Sequence, residues 1–293
     1  MSYSMVKVRS HTDSELYYPE IQNIVKNKNA PIDMDIIEKV AYEWVDDICE
    51  RFKQKTKELG KEYRESGLPK GAEITGDKKE TLFHVIKHRL TTYCKIKRLG
   101  VKGNREQGFI FEDYLGDYNI TLGERKFVVR ISNEPLHVLT RTSGREGFSC
   151  EEVYNGYWTG PFHDIALRNP TVYLLDDKGH FYGRLNVRWT GNPKESDIGI
   201  DPNIYPMTYK YQDARNRLMG DRRMLHLVLF TLFASNGYGW YNTETTPYIY
   251  RGHSDTTPSG HVRLPFRGLF HSDNKDIQDY VRDLLQMEFL KLN

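Results

Sequence analysis

Hydrophobic residues recur at helical spacing in two long segments near the start of the chain. Residues 33–66 are predicted to form an amphipathic helix, because an apolar residue stands at every fourth position from residue 36 to residue 52. These positions are Ile36, Val40, Trp44, Ile48 and Phe52. A second helix is predicted over residues 78–98, with basic residues on the side opposite Leu82, Val85, Ile86, Leu90 and Tyr93. The chain therefore opens with helical structure.

The pattern changes at residue 109, where short aromatic and β-branched runs replace the helical spacing. The runs FIFEDYL, YNITL and KFVVRIS predict antiparallel strands. The clearest hairpin is predicted over residues 171–189, where two alternating runs flank a turn from Asp176 to Gly179. Residues 190–211, rich in glycine, proline and polar residues, are predicted to form a long surface loop. A sheet is therefore expected in the middle of the chain.

Helical spacing returns in the last third of the sequence. A buried central helix is predicted over residues 212–235 and a C-terminal helix over residues 273–290, with strands and loops between them. This order predicts an α+β fold with a central antiparallel sheet rather than alternating βαβ units. We expect a helical part, residues 1–105, and an α+β core, residues 106–293, that pack as two domains or as one.

Composition limits the classes of function. The net charge of the 293 residues is only +2, so a nucleic-acid interface requires a local basic patch, while the aromatic content of 13% is high. The three cysteines lack zinc or redox spacing, which favours a reducing cytoplasm. No signal segment, membrane span or phosphate-binding glycine motif occurs. We therefore expect a cytoplasmic protein with no cofactor and no membrane partner. Both a monomer and an oligomer stay open as its state of assembly.

The second helix and the loop after it form the strongest basic patch. Residues 84–105 contain no acidic residue. The basic positions are Lys87, Arg89, Lys95, Lys97, Arg98, Lys102 and Arg105. Such a stripe suits a nucleic-acid backbone, whose phosphates are neutralised by lysine and arginine. The alternative is a solvated face whose charge is balanced by the acidic segment from Glu43 to Glu50.

Two arginines on the predicted hairpin form a second candidate for anion binding. Arg184 and Arg188 are four residues apart on one strand, which places both on the same sheet face. Guanidinium groups bind phosphate or carboxylate in bidentate fashion. The alternative is that they form salt bridges with Asp176, Asp177 or Glu151.

A cysteine in the same region raises the possibility of an enzyme. Cys150 could act as a nucleophile, with His137 or His163 as base and Arg145 beside an anionic substrate. Two glutamates directly after Cys150 disfavour its thiolate, and free cysteines are often simply buried. A structural cysteine is therefore the competing interpretation.

The histidines do not form a recognisable metal motif. His253, Asp255 and His261 lie in one loop, but their spacing is unlike that of zinc sites. His163 and Asp164 are expected on a strand, where adjacent residues face opposite sides of the sheet. We therefore predict no metal site.

One segment resembles a known group of sequences. Residues 131–150 contain an Ile-Ser-x-x-Pro run, then Thr-x-Gly-Arg, then Phe-Ser-Cys, followed by a Tyr-Leu strand and an arginine-bearing strand. The pattern resembles uncharacterised phage-encoded proteins, and it covers about a quarter of the chain. In this sequence two glutamates follow Ser-Cys where an apolar residue is expected. The resemblance implies a phage or mobile-element origin but no activity.

The leading hypothesis is a cytoplasmic, phage-derived protein that binds nucleic acid or another phosphorylated anion. The basic helix and the arginine-bearing sheet face would supply the contacts. The first alternative is a cysteine or histidine transferase or hydrolase that acts on an anionic substrate at residues 137–188. The second is a virion or interaction protein without catalysis.

Overall fold

A computed structural model describes ten segments of the chain: residues 3–62, 73–99, 109–122, 125–140, 159–175, 181–192, 196–200, 205–206, 248–251 and 262–264. The helices are α1 (Pro19–Lys26), α2 (Met34–Glu62), α3 (Asp77–Leu99), α4 (Pro135–Thr140) and α5 (Thr159–Ala166), with 3-10 helices at Ser14–Tyr17 and Phe109–Tyr114. The strands are β1 (Tyr3–Ser10), β2 (Gly116–Leu122), β3 (Arg125–Ser132), β4 (Thr171–Leu175), β5 (Phe181–Asn192), β6 (Ser196–Ile200), β7 (Tyr205–Pro206), β8 (Tyr248–Arg251) and β9 (Val262–Leu264).

The strands form one mostly antiparallel sheet in the order β1-β2-β3-β4-β5-β6-β8-β9, and β7 also pairs with β5. The only parallel pair among the described strands is β6 with β8. Helices together with this sheet confirm the predicted α+β class. Strand β1 lies beside β2 although all of α1, α2 and α3 lie between them in sequence. The helical part is therefore an excursion between two neighbouring strands.

Helices α2 and α3 pack against each other and form the main apolar core. The predicted stripe of α2 is buried from Val40 to Phe52 and partly buried at Ile36, and Leu82, Ile86, Leu90 and Tyr93 of α3 pack against it. Asp33 caps α2, because its Oδ1 accepts the backbone N–H groups of Asp35 and Ile36 at 3.0 and 3.1 Å. Helix α4 packs on α2 and α5 packs on α3. The long helices thus contact α4, which follows β3, and α5, which precedes β4.

The two helices predicted at 33–66 and 78–98 and the pairing of the hairpin strands are confirmed, and several other predictions are corrected. Strands β4 and β5 pair with Tyr173 opposite Arg184, as the hairpin requires. The run FIFEDYL is a 3-10 helix rather than a strand, and the predicted loop at 190–211 contains the end of β5 with β6 and β7. Strand β1 and helices α1, α4 and α5 were not predicted. The helices predicted at 212–235 and 273–290 lie outside the described residues.

A buried ion network joins the N-terminal segment to α3 and to the end of α5. Glu15 and Arg89 are both fully buried, and the Nε of Arg89 donates to Glu15 Oε1 at 2.8 Å. Arg168, 1% exposed, donates to the same carboxylate and to Asp13 Oδ1, the latter at 2.6 Å. The NH1 group of Arg89 also donates to the backbone oxygen of Asn133 at 2.9 Å. Four segments distant in sequence are therefore held by one set of charges.

The network holds the backbone of Arg168 in an unusual conformation. Its φ is 60°, in the left-handed region that non-glycine residues seldom adopt. Such a conformation costs on the order of 1 kcal/mol. The guanidinium stacks over the rings of Phe109 and Tyr93 at 4.5 and 5.2 Å. The ion pairs and these ring contacts offset the backbone strain.

We predict that Arg89→Met destabilises the protein by about 3–5 kcal/mol, because it removes one partner of a buried ion pair. Denaturant unfolding measures the change. Lys95→Met is the matched control, since Lys95 is exposed on the same helix and should change stability by less than about 0.5 kcal/mol. Equal effects of the two substitutions would contradict a structural role for the network.

Candidate functional site

One face of the sheet carries a row of polar side chains that runs across five strands. Arg9 of β1 lies opposite Asp117, Asp117 opposite Arg130, and Arg130 opposite Tyr173. Tyr173 in turn lies opposite Arg184 of β5. Residues directly paired on antiparallel strands point to the same face, so these side chains form a continuous line. We call it the polar row.

A second line of polar residues lies beside the polar row on the same face. Ser132 pairs with Thr171, and Thr171 pairs with Asn186, two residues along each strand from the polar row. These three residues are at most 3% exposed. Along the polar row itself, Arg9 is exposed and Arg130 partly exposed, whereas Tyr173 and Arg184 are buried. The face is thus open at β1 and closed at β5.

Helix α4 places His137 against this face. His137 Nδ1 lies 2.7 Å from Ser132 Oγ and 3.5 Å from Glu134 Oε2. The hydroxyl of Tyr173 donates to the backbone oxygen of His137, and the two rings meet edge to face at 6.3 Å. About a quarter of the His137 side chain remains exposed. The site therefore joins the tip of β3, the start of α4 and the polar row.

Two further ion pairs complete the cluster around His137. Arg130 donates to Asp117 through Nε and NH2 at 2.8 and 3.0 Å, and His11 Nε2 lies 3.1 Å from the same carboxylate. On the opposite side Arg51 of α2 donates to Glu134 Oε1 at 2.9 Å. Each carboxylate of the cluster is therefore bound by an arginine.

The electrostatics of the cluster keep both histidines neutral. Burial lowers the pKa of His137, and the charges of Arg130, His11 and Arg51 lower it further, while Glu134 opposes them. Burial also lowers the pKa of His11, against the opposing charge of Asp117. The bonds from Arg130 lower the pKa of Asp117 despite the cost of burial. At neutral pH the site holds ionised carboxylates and arginines beside uncharged imidazoles.

The structure brings two of the predicted site residues together. The ring of His137 contacts the ring of Tyr173, and Arg184 lies opposite Tyr173 in the β4–β5 pairing. His163 lies on helix α5 rather than on a strand, and its side chain is exposed while that of Asp164 is buried. Cys150 and Arg145 lie outside the described residues. Arg188 lies on β5 opposite Gly199, and its side chain falls outside the described part.

The predicted basic face of α3 is largely occupied by internal partners. Arg89 is a correction, because its buried side chain binds Glu15 and cannot contact an external phosphate. Lys87 pairs with Glu38 and Lys97 with Glu112, and Arg98 donates to the backbone oxygens of Ile24 and Ala30. Lys95 is exposed. Lys102 and Arg105 lie outside the described residues.

Sequence reasoning missed most of this cluster. His11, Asp117, Arg130, Ser132 and Glu134 were not proposed as site residues. The available signal was the alternation of β3, which places Arg130 and Ser132 on one face and Val129 and Ile131 on the other. Two polar residues on one face of a central strand indicate that the face is not ordinary apolar core.

Comparisons with known proteins add no relative: no protein-family model, no curated protein and no solved structure matches the chain. Among the described residues, no helix has the length and apolar content needed to cross a membrane. No group of three or more potential metal-binding side chains occurs in the described segments either. Function is therefore inferred from the geometry of the cluster.

We predict that His137 titrates below the ordinary histidine pKa of 6.5 in a pH series of NMR spectra. Glu134→Gln should lower that pKa further, because it removes the charge that favours the imidazolium. Protonation is disfavoured in the folded state, so the stability from this histidine is present above pH 6.5 and is lost as the pH falls below it. Lys39→Met, on the exposed side of α2, should leave the titration unchanged. A His137 pKa above 6.5 would contradict the assigned electrostatics.

Proposed function

We propose that the protein binds a phosphorylated anion against the polar row of its sheet. The observation that carries the proposal is the open end of the row, where the exposed Arg9 and the partly exposed Arg130 flank a single carboxylate, Asp117. Planar guanidinium groups match the geometry of phosphate oxygens. Arg184, at the buried end of the row, is too enclosed to contact an external anion.

The neighbouring groups suit such a ligand. Asp117 is bound by Arg130 and Glu134 by Arg51, so both carboxylates of the cluster are neutralised. Both histidines are uncharged at neutral pH and add no further buried charge. An anion at the open end of the row therefore meets little repulsion from the cluster.

Nucleic acid is the second candidate ligand. It is supported by the exposed Lys95 on α3 and by the basic residues Lys102 and Arg105 that follow that helix in sequence. A polynucleotide contacted there would bind through its backbone, with an affinity that falls steeply with salt concentration. This interface differs in place from the polar row, so substitutions distinguish the two.

The proposed compartment is the cytoplasm, and the proposed origin is a phage or mobile element. The compartment is supported by Cys49 and Cys94, the two described cysteines, which carry free thiols. The origin is supported only by the sequence resemblance of residues 131–150.

We predict that inorganic pyrophosphate and a short single-stranded oligonucleotide bind the protein in isothermal titration calorimetry. Arg130→Met should weaken pyrophosphate binding by about tenfold or more, because it removes a charged hydrogen-bond donor. Lys39→Met is the control for loss of an exposed positive charge. Circular dichroism verifies that each variant is folded.

The variants also separate the two ligands. If Lys95→Met weakens oligonucleotide binding and Arg130→Met has no effect on either ligand, the interface lies on α3 and the polar-row proposal fails. If neither ligand binds at low or moderate salt concentration, the whole proposal of anion binding fails.

A further inference from the structure

The His137 ring is held through one nitrogen and leaves the other for chemistry. Nδ1 faces both Ser132 Oγ, at 2.7 Å, and Glu134 Oε2, at 3.5 Å. Within the described part of the chain, no hydrogen bond involves Nε2. About a quarter of the side chain is exposed, so a ligand on this face can reach the ring.

The hydrogen bonds around Ser132 indicate which nitrogen carries the proton. Ser132 Oγ already accepts the backbone N–H of Glu134 at 3.3 Å, and a hydroxyl has a second acceptor position. A proton on His137 Nδ1 satisfies that position and also points toward the Glu134 carboxylate. We therefore assign the proton to Nδ1, which leaves the lone pair on Nε2.

This arrangement is that of a base held by an acidic neighbour. A carboxylate near Nδ1 fixes the orientation of the ring and stabilises the imidazolium that forms when Nε2 takes a proton. Glu134 is itself fixed by Arg51. The ring is uncharged at neutral pH, since burial and the charges of Arg130, His11 and Arg51 outweigh Glu134. A neutral imidazole is the form that accepts a proton.

Ser132 does not have the position of a nucleophile. Its side chain is buried, with 3% of the residue exposed, and its hydroxyl lies against His137 Nδ1 rather than against Nε2. A serine nucleophile must reach the substrate while its proton passes to the base. Ser132 is therefore a positioning residue, which orients the histidine.

We propose that His137 is a general acid–base residue that hydrolyses a phosphate ester bound on the polar row. This inference rests on the proposed function, because it requires the anion to bind there. His137 Nε2 takes a proton from water while the water oxygen forms a bond to phosphorus. The bond from phosphorus to the ester oxygen breaks, and the imidazolium returns the proton to that leaving oxygen. The products are a free phosphate and an alcohol, and no redox partner is needed.

The surrounding charges suit this reaction. Arg130 lies on the same face as His137, where its positive charge stabilises the negative oxygens of the transition state. The carboxylates of Asp117 and Glu134 are each neutralised by an arginine. Repulsion of an anionic substrate is therefore reduced at the point where the base acts.

The test is hydrolysis of p-nitrophenyl phosphate and bis(p-nitrophenyl) phosphate, followed by the release of nitrophenolate. We expect the wild-type protein to hydrolyse at least one probe, and His137→Gln to lower kcat by about 10²–10⁴-fold. The matched control is His84→Gln, an exposed histidine of α3 that should leave the rate unchanged. His137→Ala should regain part of the activity when imidazole is added, which a merely structural role would not produce.

The positioning residues are tested through the pH profile. Glu134→Gln should move the acid limb of the rate profile to lower pH, because the carboxylate raises the pKa of the base. Ser132→Ala should lower kcat with little change in KM, since it loosens the ring without contacting the substrate. Thermal unfolding verifies that both variants fold.

The possible results separate this inference from the proposed function. If pyrophosphate binds but neither probe is hydrolysed, the catalytic role of His137 is overturned and anion binding stands. If His137→Gln retains wild-type kcat, the role is overturned although the protein is an enzyme. If neither binding nor hydrolysis occurs, both proposals fail together.

Discussion

The buried carboxylate of Glu15 is the constraint on which the rest of the structure depends. A charge removed from water is tolerated only when partners of opposite sign surround it. Those partners come from α3, through Arg89, and from the end of α5, through Arg168. Burial of Glu15 therefore fixes the relative positions of the N-terminal segment, the helical layer and the segment that leads into β4.

The same network reaches the candidate site. Arg89 donates to the backbone oxygen of Asn133, the residue between Ser132 and Glu134. Two arginines thus fix the turn from β3 into α4. Arg89 binds the backbone of Asn133, and Arg51 binds the side chain of Glu134. His137 owes its orientation to this turn. The same few charged residues therefore stabilise the fold and fix the geometry of the site.

Sequence reasoning recovered the elements whose signal is local. Helices α2 and α3 follow from apolar spacing, and the β4–β5 hairpin follows from alternation around a turn. It failed where the deciding partner is distant: Arg89 looks like a surface cation until Glu15, 74 positions earlier, is placed beside it. The run at 109–114 has strand-like composition but forms a 3-10 helix, with Phe109 packed beneath Arg168. His137 was recognised by residue type, whereas its partners Ser132 and Tyr173 depend on tertiary structure.

The site is complete only when β1 is paired with β2. This strand brings Arg9 and His11 to a cluster whose other members come after residue 50, and helices α1, α2 and α3 lie between β1 and β2 in sequence. Loop closure over such a distance is slow and is completed late in folding. A partly folded chain would therefore carry α2 and α3 in native form and yet lack one wall of the site. Ligand binding at this face would report the closure of the sheet, which helical content alone cannot detect.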